Sequence, residues 1–373
     1  MKEKSKVYFT DFRARPGYNL LQKLEKLVKK AGIENIDFEN KYTAIKIHFG
    51  EPGNLAYLRP NYSKVIVDLV KKLGGKPFLT DCNTLYVGGR KNALDHLDSA
   101  YVNGYNPFTT GCHIIIADGL KGTDEQYVEI NQEYVKTAKI GRAIMDADVI
   151  ISLNHFKGHE GTGFGGAIKN IGMGCGSRAG KMEMHSSGKP NVIPENCRKC
   201  KQCIKICAHG AISYNEEGKA VIDHNKCVGC GRCIGICNFD AIKSPNDEAA
   251  DILNKKMAEY ALAVVKDKPQ FHISLICDVS PNCDCHGEND APIVPNIGML
   301  ASFDMVALDK ACADLVNKQE VFENSYLAEQ MKKGVHEKDL FHCNHPETNW
   351  ESQIEHGEEI GLGTQEYELI EVK

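Results

Sequence analysis

The sequence lacks a long apolar segment: no hydrophobic run approaches the roughly 20 residues that a membrane-spanning helix needs. It also lacks an excess of positive charge, since 45 Lys and Arg residues stand against 50 Asp and Glu and the pI is near 6.3. A surface that binds nucleic acid normally carries such an excess. The composition therefore predicts neither a membrane protein nor a nucleic-acid-binding protein.

The first ten residues, MKEKSKVYFT, lack the apolar core and the cleavage site of a secretory signal. A chain without such a signal is expected to stay in the reducing cytoplasm, where disulfides are rare. The sequence nevertheless contains 16 cysteines. Because structural disulfides are disfavoured in that compartment, these cysteines predict metal chemistry.

Half of the cysteines form one spacing pattern that occurs twice. The pattern C-x2-C-x2-C-x3-C begins at Cys197 and again at Cys227, so the two copies are offset by 30 residues. This spacing is typical of bacterial ferredoxins with two [4Fe–4S] clusters, in which the fourth cysteine of each run binds the other cluster. Zinc sites usually take two CxxC pairs and fit the doubled run less well. The predicted ligands are Cys197, Cys200, Cys203 and Cys237 for cluster 1, and Cys227, Cys230, Cys233 and Cys207 for cluster 2.

The remaining sequence alternates short apolar segments with amphipathic ones. Leu20, Leu24 and Leu27 recur at helical period, and strands are predicted at 7–12, 42–49, 77–81, 113–117, 149–153 and 271–277. This alternation is typical of an α/β fold in which a mostly parallel sheet carries helices on both faces. The ferredoxin-like module is expected to be an insertion, because α/β patterning resumes after it and no flexible linker flanks it. The predicted parts are 1–190, the first part of the α/β domain; 191–246, the module; and 247–373, which folds back onto the first part unless it forms an independent domain.

The segment from His155 to His185 contains nine glycines between residues 158 and 180. Glycine permits positive φ and close approach of the backbone to an anion. The segment follows a predicted strand, and ligands of parallel sheets bind beyond the carboxyl ends of the strands. We therefore expect a site for a small anionic ligand here, although a loop packed at a domain boundary is the alternative. The candidate catalytic residues are His155, His159, Lys169 and, at the end of another strand, Asp81.

A second group of cysteines stands in the sequence Cys283-Asp284-Cys285-His286. Thiolate and imidazole groups are ligands of soft metal ions, whereas two nearby thiols can also form a redox pair. One further metal ion is expected, unless the thiols act as a redox pair or are incidental. The candidate ligands are Cys283, Cys285, His286 and His185.

Four segments resemble one protein family. They are TDCNTLYVGGRKNALDH (80–96), IIIADGLKGTD (114–124), residues 155–185, and CDCHGENDAPIVPNIGMLAS (283–302). They are similar to the uncharacterised Fe–S centre proteins, which join domain of unknown function 362 to a two-cluster ferredoxin module. The resemblance extends over nearly the whole chain. It implies the same two-part organisation and two [4Fe–4S] clusters, but it implies no particular reaction.

The run GHEGTGFGGAIKN (158–170) resembles the glycine-rich segment of nickel-dependent lactate racemases. That family has a His that acts as acid and base, a Lys ten positions later that anchors a nickel cofactor, and a His sixteen positions further that binds nickel. His159, Lys169 and His185 have the same separations. The resemblance implies those three roles for these residues.

The favoured function is that of an iron–sulfur oxidoreductase that passes low-potential electrons to or from a ligand site in the α/β domain. An acidic redox partner of the ferredoxin or flavodoxin type is expected to dock near cluster 1, unless the basic residues there are only a solvated face. Those residues are Arg198, Lys199, Lys201 and Lys205. Two alternatives stay open: an electron carrier or adaptor without a catalytic site, and a metal-dependent, racemase-like enzyme acting on a small hydroxy acid.

Overall fold

The computed structural model describes residues 4–85, 88–185, 189–207, 209–227, 233, 237, 239, 241–243, 250–337 and 339–373. The strands, numbered in chain order, are β1 Ser5–Asp11, β2 Tyr42–Lys46, β3 Lys76–Asp81, β4 Ile114–Ile116, β5 Glu125–Glu129, β6 Thr137–Gly141, β7 Val149–His155, β8 Lys157–His159, β9 Gly163–Gly165, β10 Asn191–Val192, β11 Ile212–Tyr214, β12 Ala220–Ile222, β13 Ile242–Lys243, β14 Gln270–Ile276, β15 Gly298–Ser302 and β16 Tyr367–Glu371. The α-helices are α1 Leu20–Lys30, α2 Pro60–Lys72, α3 Ala93–Val102, α4 Pro107–Thr110, α5 Arg142–Met145, α6 Ala167–Cys175, α7 Arg178–His185, α8 Gln202–Ile206, α9 Ala250–Val265, α10 Met305–Val316, α11 Tyr326–Lys332, α12 Leu340–Asn344 and α13 Glu351–Glu359.

Eight of the strands form one sheet in the order β16-β1-β15-β14-β7-β2-β3-β4. Of these eight, β15 runs antiparallel to both of its neighbours, and every other pair in the sheet is parallel. The predicted mostly parallel sheet is therefore confirmed. Strands β14, β15 and β16 come from the C-terminal part of the chain and pair within the same sheet as β1 to β4.

The two faces of the sheet bury different side chains, because successive residues of a strand point to opposite sides. Ile150 belongs to a core with side chains of α6, α9 and α10, whereas the next residue, Ile151, belongs to a core with side chains of α1 and α2. The α/β fold with helices on both faces is thus also confirmed.

Strand β2 ends three residues before the predicted boundary. The carbonyl oxygen of Lys46, the last residue of the strand, accepts a hydrogen bond of 3.1 Å from the side-chain amide of Asn170. A side chain of the glycine-rich segment therefore binds the backbone where the strand ends. Strand β7, in contrast, extends beyond its predicted end and pairs with β14 as far as His155.

The glycine-rich segment forms the β8–β9 hairpin followed by α6 and α7. Its glycines mainly permit close packing. A Cβ atom on Gly172 of α6 would lie 2.1 Å from the carbonyl oxygen of Met257 in α9, and one on Gly158 would lie 2.2 Å from that of Pro281. Gly163, at the hairpin, has a φ of 79°, which favours glycine.

The cysteine-rich segment forms two small antiparallel sheets, β10–β13 and β11–β12. Its buried side chains, together with two from outside the segment, make a separate cluster, which we call the cysteine core. It consists of Leu85, Met182, Cys197, Cys203, Ile212, Ala220, Cys233, Cys237, Ala241 and Ile242. The boundaries proposed for this module, 191–246, stay a prediction. Among the described residues, no helix is both long and apolar enough to span a bilayer.

Candidate functional site

A cavity of about 690 Å³ lies beyond the carboxyl ends of three neighbouring strands. The last residues of β2, β3 and β7, which are Lys46, Asp81 and His155, all line it. Side chains far apart in the sequence are therefore brought to one edge of the sheet, as in other parallel sheets. The eight residues predicted to be catalytic or to bind the further metal all line it: Asp81, His155, His159, Lys169, His185, Cys283, Cys285 and His286.

Asp81 is a buried carboxylate held by two basic side chains. Lys46 Nζ lies 3.0 Å from Asp81 Oδ1 and donates to Asn170 Oδ1 at 2.7 Å, while His96 Nε2 lies 3.7 Å from Asp81 Oδ2. Burial alone would raise the pKa of Asp81, but Lys46 and His96 hold it well below its usual range. Asp81 is consequently a fixed negative charge at the base of the cavity.

His155 has both ring nitrogens engaged. Nδ1 lies 2.8 Å from Asp284 Oδ2, and Nε2 lies 2.7 Å from the carbonyl oxygen of Cys277. Since both partners are acceptors, both nitrogens donate and neither is free to exchange a proton with a ligand. Lys157 Nζ lies 3.6 Å from the same Asp284 carboxylate, whose pKa is held low by His155 and Lys157 against the effect of burial.

His159 is held in one tautomer by its own hairpin. Its Nδ1 accepts hydrogen bonds from the backbone N–H groups of Gly161 and Thr162, at 2.9 and 3.1 Å. A backbone N–H can only donate, so Nδ1 carries no proton and the ring proton is on Nε2. The Nε2–H group lies near the cavity thiols.

The two thiols of the cavity differ in character. Cys283 is almost fully buried, and its sulfur accepts from Lys169 Nζ at 3.7 Å. The neighbouring Cys285 thiol, Lys169 and Lys157 hold the pKa of Cys283 well below its usual range although burial opposes this. The interaction with Cys283 raises the pKa of Cys285. The arrangement is a thiolate at Cys283 that receives a hydrogen bond from the thiol of Cys285.

Lys169 and His185 differ in charge at this site. Burial lowers the pKa of Lys169, but the sulfurs of Cys283 and Cys285 outweigh it and raise the value, so the side chain stays an ammonium group. Burial and the charge of Lys169 lower the pKa of His185 to about 3, which makes it neutral. Lys181, one turn before His185 on α7, donates to the carbonyl oxygens of Gly174 and Gly176 and adds positive charge to the cavity.

Two sets of metal-type ligand atoms meet at the cavity. The side-chain ligand atoms of His159, Cys283 and Cys285 lie within 4.8 Å of one another, and so do those of Glu160, Cys285 and His286. Glu160 and His286 already form an ion pair, with 2.8 Å between Oε1 and Nε2. A third set, outside the residues lining the cavity, consists of Asp339, His342 and Glu351.

The four cysteines predicted to bind cluster 1 line a second, small cavity. Cys197, Cys200, Cys203 and Cys237 surround it together with apolar side chains of the cysteine core. The backbone N–H of Ala220 donates to the sulfur of Cys197 at 3.5 Å. Four thiols around one cavity, with an N–H group directed at a sulfur, suit the shape and hydrogen bonding of a cubane.

The cysteines predicted for cluster 2 are described less fully. Cys233 is buried in the cysteine core, and Cys207 and Cys227 are partly buried. The backbone N–H of Ala211 donates to the Cys207 sulfur at 3.3 Å, as Ala220 does to Cys197. Cys230 lies outside the described residues.

The loop that carries Cys200 has unusual backbone angles. Lys199 and Lys201, on either side of Cys200, have φ values of 60° and 62°. These left-handed conformations are unfavourable for a residue with a side chain and mark functional turns. In the second copy of the repeat, the sequence has Gly229 and Gly231 at the corresponding positions.

One side chain joins the large cavity to the cysteine core. Leu85 lines the cavity and also packs in the cysteine core. Helix α7 has a similar position, because Lys181 and His185 line the cavity while Met182 packs in the cysteine core. The wall of the large cavity and the cysteine core therefore share Leu85 and helix α7.

Comparison with known proteins shows which family the chain belongs to. The model described as "Domain of unknown function (DUF362)" matches residues 43–314, which is most of the chain. The chain belongs to this family. The matched region includes the glycine-rich segment, the cysteine-rich segment and the Cys283–His286 loop, while the cluster content of the cysteine-rich segment stays a prediction.

Individual relatives of this DUF362 protein are distant. The thylakoid-associated protein sll1697 of Synechocystis is 27% identical over 124 residues, which are 33% of this chain and 35% of that protein. The lactate racemase apoprotein of Thermoanaerobacterium thermosaccharolyticum is 13% identical, with a TM-score of 0.40 over 84% of this chain and 58% of that one. A Thermotoga maritima protein is 12% identical, with a TM-score of 0.39 over 79% and 57%. The chain thus spans about a third of its curated relative and less than two thirds of either solved chain.

Sequence reasoning missed several charged residues of the site. Asp284 holds His155, Glu160 pairs with His286, and Glu51 accepts from Arg90 Nε at 2.7 Å. Two of these residues could have been found in the sequence, because Asp284 and Glu160 directly follow the predicted residues Cys283 and His159. Nothing in the sequence pattern pointed to Glu51, which reaches the cavity from the loop after β2.

Proposed function

We propose that this DUF362 protein is an iron–sulfur oxidoreductase that transfers low-potential electrons between two [4Fe–4S] clusters in its cysteine-rich segment and a small anionic ligand in the 690 Å³ cavity. The shared position of Leu85, in the wall of that cavity and in the cysteine core, carries this proposal. A cavity wall that shares a side chain with the cysteine core favours electron transfer between the two over separate roles. An electron carrier without a catalytic site would have no use for a large cavity at the sheet's carboxyl edge.

The cysteine-rich segment fits the clusters in three respects. Cys197, Cys200, Cys203 and Cys237 line one small cavity, N–H groups are directed at the sulfurs of Cys197 and Cys207, and apolar side chains surround the buried sulfurs. Hydrogen bonds to sulfur and exclusion of water are the main protein contributions to cluster potential. When bound, the clusters supply one-electron transfer.

Within the cavity, fixed positive groups favour an anion. Lys169 is held as an ammonium group beside the thiolate of Cys283, and Lys181 donates to backbone carbonyl oxygens. His159 presents an Nε2–H donor, and His155 keeps Asp284 in place. We assign ligand binding to Lys169 and Lys181, hydrogen-bond donation to His159 and a positioning role to His155.

An external redox partner is proposed to dock on the exposed face around cluster 1. Cys200 is exposed there, and so are the four basic residues predicted to attract an acidic protein. Those residues are Arg198, Lys199, Lys201 and Lys205. A ferredoxin- or flavodoxin-type protein would suit this charge.

Iron analysis of anaerobically purified protein tests the proposal. Wild-type protein should contain about eight iron and eight acid-labile sulfide per chain and show cluster signals by electron paramagnetic resonance after reduction with dithionite. Cys203→Ser should lower the iron to about four or less. The matched control is Cys112→Ser, which changes another buried cysteine outside the cysteine-rich segment and should leave the iron unchanged. Wild-type protein with zinc in place of iron would contradict the proposal.

A further inference from the structure

The Cys283–Cys285 loop is anchored so that both sulfurs face the cavity. Cys283 and Cys285 line the cavity, whereas Asp284 between them is fully buried against His155 and Lys157. The Asp284 carbonyl oxygen also accepts from the backbone N–H of Glu51 at 3.0 Å. The segment forms a turn, in which the backbone N–H of His286 donates to the carbonyl oxygen of Cys283 at 3.1 Å. With Asp284 anchored inside this turn, the two sulfurs lie within 4.8 Å of each other.

The surroundings of these thiols oppose a metal ion. A histidine that binds a metal through Nε2 normally carries a proton on Nδ1 and donates it to an acceptor. Here Nδ1 of His159 faces two backbone N–H donors, so the proton is on Nε2, the atom that would have to bind the metal. The other candidate, His286, directs Nε2 at the Glu160 carboxylate, 2.8 Å away.

The same surroundings suit sulfur redox chemistry. A redox-active cysteine pair requires one stabilised thiolate and a second thiol within bonding reach of it. Lys169 Nζ lies 3.7 Å from the Cys283 sulfur, and the Nε2–H of His159 and the thiol of Cys285 are further donors near it. A disulfide across a single residue closes a small ring, and strained disulfides are the readily reduced ones.

We propose that Cys283 and Cys285 form a redox-active dithiol that stores an electron pair between the one-electron chemistry of the cysteine-rich segment and the ligand of the cavity. In the reductive direction the S–S bond accepts two electrons from a ferredoxin- or flavodoxin-type donor, and clusters held by the cysteines of the cysteine-rich segment would supply the one-electron transfer. One proton is taken up from solvent, and the products are a thiolate at Cys283 and a thiol at Cys285. The electron route rests on the function proposed above, whereas the disulfide itself does not.

The test uses the full-length, cluster-loaded protein under anaerobic conditions. Wild-type protein is treated with glutathione disulfide, desalted and analysed by peptide mass spectrometry, which should show a disulfide within the peptide that contains residues 283–285. In a reductive titration this oxidised protein should take up about four electrons per chain, two for the disulfide and one for each cluster. The oxidised variant in which both Cys283 and Cys285 are replaced by serine should take up about two while keeping the same iron content.

Two control variants sharpen the result. Cys277→Ser changes a nearby buried cysteine that does not line the cavity, and it should still take up about four electrons. Cys203→Ser, damaged at cluster 1, should still form the disulfide but be reduced much more slowly by reduced ferredoxin.

Three results would overturn the dithiol. They are uptake of only two electrons by oxidised wild-type protein with full iron content, absence of the 283–285 disulfide, and a stoichiometric third metal that is lost in Cys283→Ser. Protein that forms the disulfide but contains no iron would refute the cluster proposal and leave the thiol pair intact.

Discussion

At the scale of single residues, the turn around Cys200 shows how the cysteine-rich segment is built. Lys199 and Lys201 adopt left-handed backbone angles, and both side chains are exposed. The sequence has Gly229 and Gly231 at the corresponding positions of the second repeat, and glycine is the residue type that can adopt such angles without steric cost. The cluster proposed above would require such a turn, which would explain why two lysines tolerate an unfavourable conformation.

Replacing Lys199 with glycine should therefore stabilise the protein. Removal of the side chain relieves the left-handed strain, and we expect a gain of about 1 kcal/mol. The midpoint of anaerobic thermal unfolding, followed by cluster absorbance, measures it. The control is Lys205→Gly, because Lys205 is equally exposed but lies within α8, where glycine should destabilise by about 0.5–1 kcal/mol. Equal shifts in the two variants would show that the Lys199 turn is not strained.

The role of a residue can be predicted from the sequence when it depends on local spacing. It cannot be predicted when it depends on hydrogen-bond partners that are remote in the sequence. The cysteines predicted to bind clusters stand out in the sequence because a cubane imposes the spacing of its ligands. The state of His159 depends on its own hairpin, which was not predicted, and that of His155 depends on Asp284, 129 positions away. Only the folded chain therefore distinguishes a hydrogen-bond donor from an acid or base.

At the scale of elements, the contact between α6 and α9 places the glycine-rich segment. Gly172 lets the backbone of α6 approach the carbonyl oxygen of Met257 in α9. Helix α6 also carries Lys169 to the cavity and Asn170 to the end of β2. Tight packing of this helix pair thus determines where two site residues lie.

Gly172→Ala should destabilise the protein despite the better helix propensity of alanine. The new Cβ would lie 2.1 Å from Met257 O, so the helices must separate, and overpacking of this kind costs about 1–3 kcal/mol. Urea unfolding followed by circular dichroism measures the change. Gly357→Ala in α13 is the control, because its Cβ meets a methyl group of Val306 at 3.0 Å and should cost less. A more stable Gly172→Ala protein would contradict the packing argument.

Most helices and strands can be predicted from hydrophobic periodicity, but their ends and their parallel or antiparallel direction cannot. The predicted strands at 42–49 and 149–153 are present with different ends, because pairing with remote segments determines where each strand stops. Periodicity is the same in parallel and antiparallel strands, so it could not reveal that β15 opposes its neighbours. The fold class could be predicted from hydrophobic periodicity, because both faces of the sheet must be covered by apolar side chains of helices.

At the scale of the whole molecule, the chain forms two parts whose apolar cores differ in size. The α/β body buries large apolar cores on both faces of its sheet. The cysteine core contains ten described residues, of which four are cysteines, so its apolar content is small. A body this small requires metal or disulfides to hold its fold.

Removal of iron should therefore unfold the cysteine-rich segment and spare the α/β body. In the apoprotein, trypsin should cut within 189–207 at least tenfold faster than in the iron-loaded protein, since the exposed Lys199, Lys201 and Lys205 lie there. The fragments are identified by mass spectrometry. Lys256, buried in α9, serves as the control site and should resist cleavage in both forms. Equal cleavage rates would mean that the segment folds without its metal.

The strand order has a consequence for biosynthesis. Strand β1 has β15 and β16 as its neighbours in the sheet, and both are encoded near the other end of the chain. At ribosomal speeds β1 must wait roughly 15 to 60 s for the first of them. The cysteine-rich segment leaves the ribosome during that interval, so the proposed clusters would be inserted into a nascent chain whose central sheet is still incomplete.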